Sequence, residues 1–544
     1  MARNRIETAT DLAQSAARFY VKMLSQPMTA LSGIMALNQE IARSLAGASE
    51  LEADKGDKRF KDPVWASNPG YRVLMQTYLA WQRGIDNWVD ALDVPARDKL
   101  RVKLVANLFT DALAPTNTLG GNPAAMKATL EQGGNNLIAG LQNFVEDMAG
   151  NNGLPSMVDK TKFRVGENIG TTAGKVVHTE PHLELIQYQP ATPEVYKTPI
   201  FIVPPQINKF YIWDLAPGRS IVEFLLSQGH QVFIVSWRNP TAEQADWDME
   251  SYVEALDRAS EVACEISGSD RLNLVGACSG GITAALTIAL WGARGIKRAE
   301  SFSVLVAILD VAGNKDTSMG LFANLETLEL ARLFSRSKGV MGGSDLERAF
   351  AWLRPNDLIW AYWVNNYLLG KDPQAFDILY WNADTTNLPA ALHGDMMDLL
   401  EFGGLTGGNG PTIGGHKLEL GQITCDTLVL GGESDHITPW DGTYLTTNGL
   451  GGTWQYVLSQ SGHIQSLINP PGNPKARYYT NSANPGTPQE FLAGAEEHQG
   501  TWWLHWAEWL AGHGGEKVAA PKTLGSKAHQ PGVDAPGTYV LMAA

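Results

Sequence analysis

Short apolar runs alternate with helical stretches through the middle of the chain, and this alternation restricts the fold more than any other feature. "LELIQYQP" (183–190), "PIFIVPP" (199–205), "QVFIVSW" (231–237), "RLNLVGA" (271–277) and "SFSVLVAIL" (301–309) are β-rich. "RSIVEFLLSQG" and "SYVEALDRASEVACEISG" lie between them and read as helices. Strands alternating with helices build βαβ units, and hence a mostly parallel, doubly wound sheet. "PIFIVPP" and "FSVLVAIL" are apolar on both faces, as strands covered by helices on each side must be. The alternation stops after Leu309 and resumes at "DTLVLGG" (426–432). An insertion of that size late in such a sheet is where a lid or cap sits. It holds the helical, aromatic "RAFAWLRPNDLIWAYWVNNYLLG".

Residues up to about 150 read as helical. "VLMQTYLAWQRGIDNWVDAL" (73–92) sets Leu74, Tyr78, Trp81, Ile85 and Trp88 at helical spacing, which predicts one apolar face. "LRVKLVANLFTDAL" and "NNLIAGLQNFVEDMAG" behave alike, and "AGNNGLPSMVDK" (149–160) starts a linker. The expected organisation is a helical N-terminal domain and linker over 1–175 and a catalytic domain over 176–544, with a lid or cap insertion at about 313–424. "TWWLHWAEWLAG" reads as a packing helix, and the last twenty residues as extended.

The net charge of −15 argues against a nucleic-acid partner, because phosphate binding needs a concentrated basic surface and no basic run occurs. It leaves anionic small molecules open, since these need only a local basic patch. Cys264, Cys278 and Cys425 are too few and too scattered for a disulfide framework or a zinc site. "MARNRIETATDLAQ" lacks the apolar core of a signal peptide, and no apolar run approaches the roughly 18 residues of a membrane span. A cytoplasmic protein is expected. No P-loop, H-E-x-x-H, EF-hand loop or dinucleotide fingerprint occurs, so neither a metal nor a cofactor is expected.

The chemistry centres on "VGACSGG" (275–281), a strand-to-helix turn of the G-x-S-x-G kind with Cys278 where serine usually stands. A helix N-terminus behind a thiol favours the thiolate, and its free N–H groups, Ser279 first, bind an oxyanion. A cysteine between glycines is as often a small buried hydrophobe. Here the strand before it and the helix after it favour the nucleophile. Asp435 follows the strand "DTLVLGG" and His463 follows the strand "WQYVL". Both fall at carboxyl ends of strands, in the order nucleophile, acid, base. Singly, each is explained as a turn aspartate or a loop histidine; the ordered set is not. His436, beside the acid, reads as a hydrogen-bonding neighbour.

"GACSGG" together with "PPQINKFYIWDL", "FIVSWRNP", "WNADTTNLP", "DHITPW" and "SGHIQSLINPPGNP" resembles the polyhydroxyalkanoate synthases, most of all the class II, medium-chain members. The resemblance implies an α/β-hydrolase fold with nucleophile Cys278, acid Asp435 and base His463. It puts the oxyanion donors at the Ser279 and Ile207 N–H groups, with Gln206, His436 and Gln465 as pocket or supporting candidates, and Trp381 near a dimer contact. It implies an (R)-3-hydroxyacyl-CoA substrate, CoA as a product rather than a cofactor, a growing polyester chain at a granule surface, and a homodimer. A thiol suits that reaction. Cysteine exchanges one thioester for another at nearly constant energy, so the acyl group stays activated for transfer to an alcohol. An acyl-CoA thioesterase or esterase would share the triad, and a granule-coating protein would not need it. The aromatic Trp352, Trp360, Tyr362 and Trp363 are expected either to line the lid or to pack as core.

Overall fold

The computed structural model describes residues 11–151, 153–311, 320–321 and 325–543. The chain divides into two compact units. One comprises the residues up to Lys160 with Gly320–Glu326 and Glu347–Leu379; the other comprises Thr161–Met319, Thr327–Leu346 and Tyr380–Ala544.

The first unit is helical: α1 (Asp11–Ser25), α2 (Pro27–Leu45), α3 (Pro69–Ala91), α4 (Ala96–Ala112), α5 (Pro123–Glu131) and α6 (Asn135–Gly150). Asn68 caps α3 by accepting from the Gly70 and Tyr71 N–H groups, and Pro69 occupies the first turn, where its missing N–H costs nothing. The buried face of α3 is Met75, Tyr78 and Leu79, packed on Phe60, Trp65 and Ala114. Leu74, expected on that face, is 37% exposed, because the partners set the stripe one residue further along.

Residues 347–379 belong to this helical unit, so the insertion expected at about 313–424 is not one body. Its beginning, 313–319 and 322–324, lies outside the described residues. The reason for the division is a close backbone contact with α6. A Cβ on Gly140 would lie 2.0 Å from the Tyr367 carbonyl oxygen, and one on Gly370 2.2 Å from that of Asn136, so only glycine admits the approach. Asn136 donates to Leu368 O at 2.8 Å and Tyr367 Oη donates to Asp147 at 2.7 Å. Trp363 stacks edge-on with Phe144 and Tyr367 and donates to Asn117 O, so its ring is packing within the helical unit. Trp352 is 42% exposed. The unit boundary at Lys160 also falls ahead of the expected 175.

The second unit carries a ten-stranded sheet. Its strands are β1 (Gly174–Thr179), β2 (Leu183–Tyr188), β3 (Ile200–Val203), β4 (Val232–Trp237), β5 (Leu272–Ala277), β6 (Ala299–Leu305), β7 (Asp426–Gly432), β8 (Trp454–Ser459), β9 (Arg477–Thr480) and β10 (Glu496–Gln499). Across the sheet they run β1-β2-β4-β3-β5-β6-β7-β8-β9-β10. From β4 to β8 every pairing is parallel, and both flanks are antiparallel. Helices α7 (Ile221–Ser227), α8 (Met249–Ser267), α9 (Cys278–Arg294), α10 (Ala390–Phe402), α11 (His463–Leu467) and α12 (Trp502–Gly512) belong to the same unit. β3, β4 and β5 are buried at every position, which accounts for their unbroken apolar sequence. In α12, Trp502, Trp503 and Trp506 are fully buried, each contributing about 2–3 kcal/mol by removal of apolar surface from water.

Candidate active site

The end of β5 and the start of α9 form a sharp elbow. Ala277 is extended, and Cys278 has φ 50, a left-handed conformation that a non-glycine residue adopts only under constraint. The glycines around it make room. A Cβ on Gly276 would sit 2.7 Å from Gly281 Cα, and one on Gly280 2.3 Å from Val203 O and 2.4 Å from Pro204 O. The start of α9 therefore lies directly on the backbone leaving β3. Cys278 is half-buried at the helix N-terminus. Burial pushes the Cys264 thiol up to about 11 and the Cys425 thiol up to about 12, which keeps both protonated.

Asp435 and His463 meet at the same end of the sheet. Asp435 Oδ2 lies 2.6 Å from His463 Nδ1. Its Oδ1 accepts the Ile437 and Thr438 N–H groups at 2.8 and 3.0 Å. Thr438 Oγ1 donates to Oδ2 at 2.7 Å and lies 3.1 Å from both His463 Nδ1 and Val306 O. Burial opposes ionisation of both partners. Nevertheless the positive ring of His463, with its hydrogen bond and those of Thr438, holds the Asp435 carboxyl below its ordinary range. Burial likewise favours a neutral His463, but the charge and hydrogen bond of Asp435, followed by those of Cys278, raise its pKa well above 6.5. Cys278 thus lies near enough to this ring to act on it electrostatically. With Nδ1 committed to Asp435, Nε2 is the nitrogen left for the thiol.

His463 opens α11, and α12 holds that short helix in place. Trp502 Nε1 donates to Ser466 O at 2.7 Å and Trp503 Nε1 to Leu467 O at 3.0 Å, satisfying carbonyls that a helix end leaves open. The tryptophan-rich helix thus supports the base as well as filling the core.

Gln206 joins the loop after β3 to the elbow. Its N–H donates to Ser279 Oγ at 3.2 Å, and Nε2 donates to Thr283 Oγ1 at 2.8 Å; Oε1 is buried with no partner among the described residues. The Gln206 N–H is therefore occupied, which leaves the Ile207 N–H as the loop's candidate donor beside that of Ser279. Trp381 is buried and its indole donates to Lys209 O at 2.6 Å. His436 is half-buried beside Asp435, and Gln465 is exposed on α11. Thr438 lies outside the residues the sequence motifs single out; its signal is a hydroxyl residue three positions after an aspartate, the spacing of a local turn bond.

A thiol at a helix start, with backbone donors beside it and a hydrogen-bonded imidazole–carboxylate pair at the same end of the sheet, can form and resolve a covalent acyl-enzyme. A family profile described as Poly-beta-hydroxybutyrate polymerase (PhaC) N-terminus matches residues 56–225, and one described as alpha/beta hydrolase fold matches 199–470. The chain is 45% identical over 530 residues to Poly(3-hydroxyalkanoate) polymerase 1 of Ectopseudomonas oleovorans, covering 97% of this chain and 94% of that one. It is 44% identical over 519 residues to polymerase 2 of the same organism, with coverages of 95% and 92%. To the Poly(3-hydroxyalkanoate) polymerase subunit PhaC of Cupriavidus necator it is 38% identical over 504 residues, with coverages of 91% and 84%. With nearly the whole length of such relatives matched and an elbow carrying a thiol on an α/β-hydrolase sheet, the chain belongs to the poly(3-hydroxyalkanoate) polymerase family.

Proposed function

We propose that this chain polymerises (R)-3-hydroxyacyl-CoA thioesters, of medium chain length, into polyester with release of CoA. The observation that carries the reading is the left-handed Cys278 at the head of α9, together with the hydrogen-bonded Asp435–His463 pair at the same end of the sheet, whose histidine is raised in pKa by Asp435 and Cys278. The charge on His463 is the proton that the Cys278 thiol gives up, and the sulfur attacks the thioester carbonyl as the thiolate. The oxyanion is met by the Ser279 and Ile207 N–H groups. Collapse expels CoA thiolate, which takes the proton from His463, and leaves an acyl-cysteine. The 3-hydroxyl of another acyl unit then gives up its proton to His463, attacks the acyl-cysteine, and forms an ester while the thiol is restored. No cofactor enters, since CoA arrives with the substrate and leaves as product.

The growing polymer is apolar, and the helical unit has the surface to meet it. Met28, Met35, Phe109, Leu130, Leu141 and Met148 are each more than half exposed, apolar surface on which a polyester could be received. This supports residence at the granule surface, in the cytoplasm. Among the described residues no helix is long and apolar enough to cross a membrane. A homodimer is the proposed active form; Trp381, being buried, would act on its contact only through the segment around it.

Purified protein incubated with (R)-3-hydroxyacyl-CoAs of graded length tests the reading. CoA release with polymer is expected, best with medium chains, and Cys278→Ser should abolish it while Cys264→Ser and Cys425→Ser retain most of it. Free hydroxy acid as the product would make the chain a thioesterase instead.

A further inference from the structure

The loop from Pro204 to Lys209 has its carbonyls held by side chains and backbone from elsewhere in the same unit. Pro204 O accepts Trp237 Nε1 at 2.8 Å. Gln206 O accepts the Thr386 hydroxyl, Ile207 O accepts the Thr386 N–H at 3.1 Å, and Lys209 O accepts Trp381 Nε1. Asp384 adds an ion pair to the buried Lys209 ammonium at 2.9 Å and accepts from Tyr211 Oη at 2.9 Å. Thr385 bridges Asn208 as an isolated β-pair. Residues 381–386 thus run along the loop as a clamp, and Thr386 grips two successive carbonyls with its two donors.

This grip decides where the Ile207 N–H points. The Gln206–Ile207 peptide is trans, so its C=O and N–H are directed oppositely across one plane. With the oxygen drawn toward Thr386, the N–H is turned to the other side. The preceding residue is at the same time tied to the elbow through Ser279 and Thr283. A hydrogen bond on the carbonyl also polarises the peptide and strengthens its N–H as a donor. Gln206 and Thr386 are both buried, 3% and 4% exposed, so no solvent competes for that bond. Without the hydroxyl the peptide could rotate and offer its carbonyl oxygen to the developing oxyanion, which would repel it.

We infer that Thr386 is a positioning residue of the oxyanion hole, whose hydroxyl fixes the Gln206–Ile207 peptide with the Ile207 N–H presented to the acyl oxygen. This rests on the reading of Cys278 as nucleophile and Ile207 as donor. Thr386→Val keeps the shape and the backbone bond but removes the hydroxyl, and Thr386→Ser keeps the hydroxyl. The acylation rate of Cys278 under single turnover, followed by intact mass, is the primary readout, with kcat and KM for CoA release beside it. Removing an oxyanion donor costs about 10²–10³-fold, so a misaligned one should cost about 10–100-fold in Thr386→Val. KM should stay within about twofold, since the donor acts on the transition state rather than on bound substrate. Thr386→Ser should acylate within about threefold of the parent. If the valine variant does not fold, Thr386→Cys, a weaker donor of similar size, should fall clearly below serine. Parental acylation in the valine variant, or equal loss in serine and valine, overturns the proposal. Replacing Ile207 by its α-hydroxy acid, which exchanges the N–H for an ester oxygen, separates the two layers. Unchanged acylation there removes Ile207 as donor, whereas a loss there with none in Thr386→Val leaves the donor and removes Thr386.

Discussion

Asp435 spends both oxygens on groups that hold it ionised, and the consequence is a charged pair inside a buried site. Burial works against both members, yet Asp435 is lowered and His463 raised, because each supplies the other with charge and a hydrogen bond. A histidine whose pKa rises on folding contributes fully below its unfolded value near 6.5, and that contribution fades as pH rises through the folded value. A carboxylate lowered on folding contributes above its unfolded value near 3.8 and loses it as pH falls through the folded one. Both terms are complete only between those two unfolded values. The thermal midpoint of Asp435→Asn should therefore lie furthest below that of the parent at about pH 5–6 and converge on it as pH rises above 7. A gap that widens toward alkaline pH would mean the pair is not charged in the folded protein. The same variant separates two chemical duties. A thiol at a helix N-terminus gives up its proton far more readily than an aliphatic hydroxyl does, so loading should survive the loss of the carboxylate better than elongation. Intact mass after brief exposure to substrate should find Asp435→Asn acylated on Cys278 with short chains only. His463→Gln should carry no acyl group.

At the level of elements the elbow depends on how closely α9 approaches the strand beside it. Gly280→Ala would drive a methyl group into the Val203 and Pro204 carbonyl oxygens, both backbone, so the helix start must shift away from the β3 loop. The Gln206–Ser279 bond would go with it, and CoA release should fall by about 10²-fold or more if the misplaced loop removes an oxyanion donor. Gly394 in α10 is the matched control: a Cβ there meets nothing within 4 Å, so Gly394→Ala should leave activity intact and stabilise by about 0.4–1 kcal/mol. Equal loss in both variants would show that the elbow glycine is not special. This contrast also marks what the sequence made legible. β3 to β8, the elbow and the ordered Cys278, Asp435 and His463 were readable, because buried parallel strands leave apolar runs and a strained turn leaves glycines. β9 and β10, "RYYT" and "EEHQ", were not. They form one flank of the sheet, and a flank is kept polar where an open edge would otherwise recruit another chain. The clamp of Thr386 on Gln206 was equally hidden, since its partners are 180 positions apart and each looks locally like an ordinary loop residue. The allotment of 347–379 to the helical unit rests on Gly140 and Gly370, and no local pattern announces a backbone-to-backbone contact between distant segments.

Over the whole catalytic unit, the last residues of the chain return to its first strands. Val533 O accepts the Val176 N–H, and the Gly532 and Ala535 N–H groups donate to Val176 O and Gly174 O, so the tail covers the edge at β1. Beyond it, Glu184 on β2 is 2% exposed, and three donors of the tail converge on its carboxylate: the Thr538 N–H at 2.8 Å, the Thr538 hydroxyl at 2.6 Å and the Tyr539 N–H at 3.0 Å. A carboxylate buried in a sheet is tolerable only while such donors replace its water. Ending the chain at Ala535 keeps the edge-covering segment but strands that charge, and removing the partners of a buried charge costs about 3–5 kcal/mol. The truncation also removes contacts that have nothing to do with charge, including the Tyr539 hydroxyl bond to Glu180 O. Its cost alone is therefore ambiguous, and a double-mutant cycle with Glu184→Gln isolates the carboxylate. A glutamine can keep one oxygen on the two N–H groups and turn its amide toward the Thr538 hydroxyl, so in the full chain that substitution should be mild. In its background the truncation should cost less than in the parent by about 1–3 kcal/mol, the range for groups in one hydrogen-bonded network. Denaturation midpoints of the four proteins give the coupling directly. Equal truncation costs in both backgrounds would mean that the tail acts as a cover for the sheet edge and that Glu184 finds its donors without it.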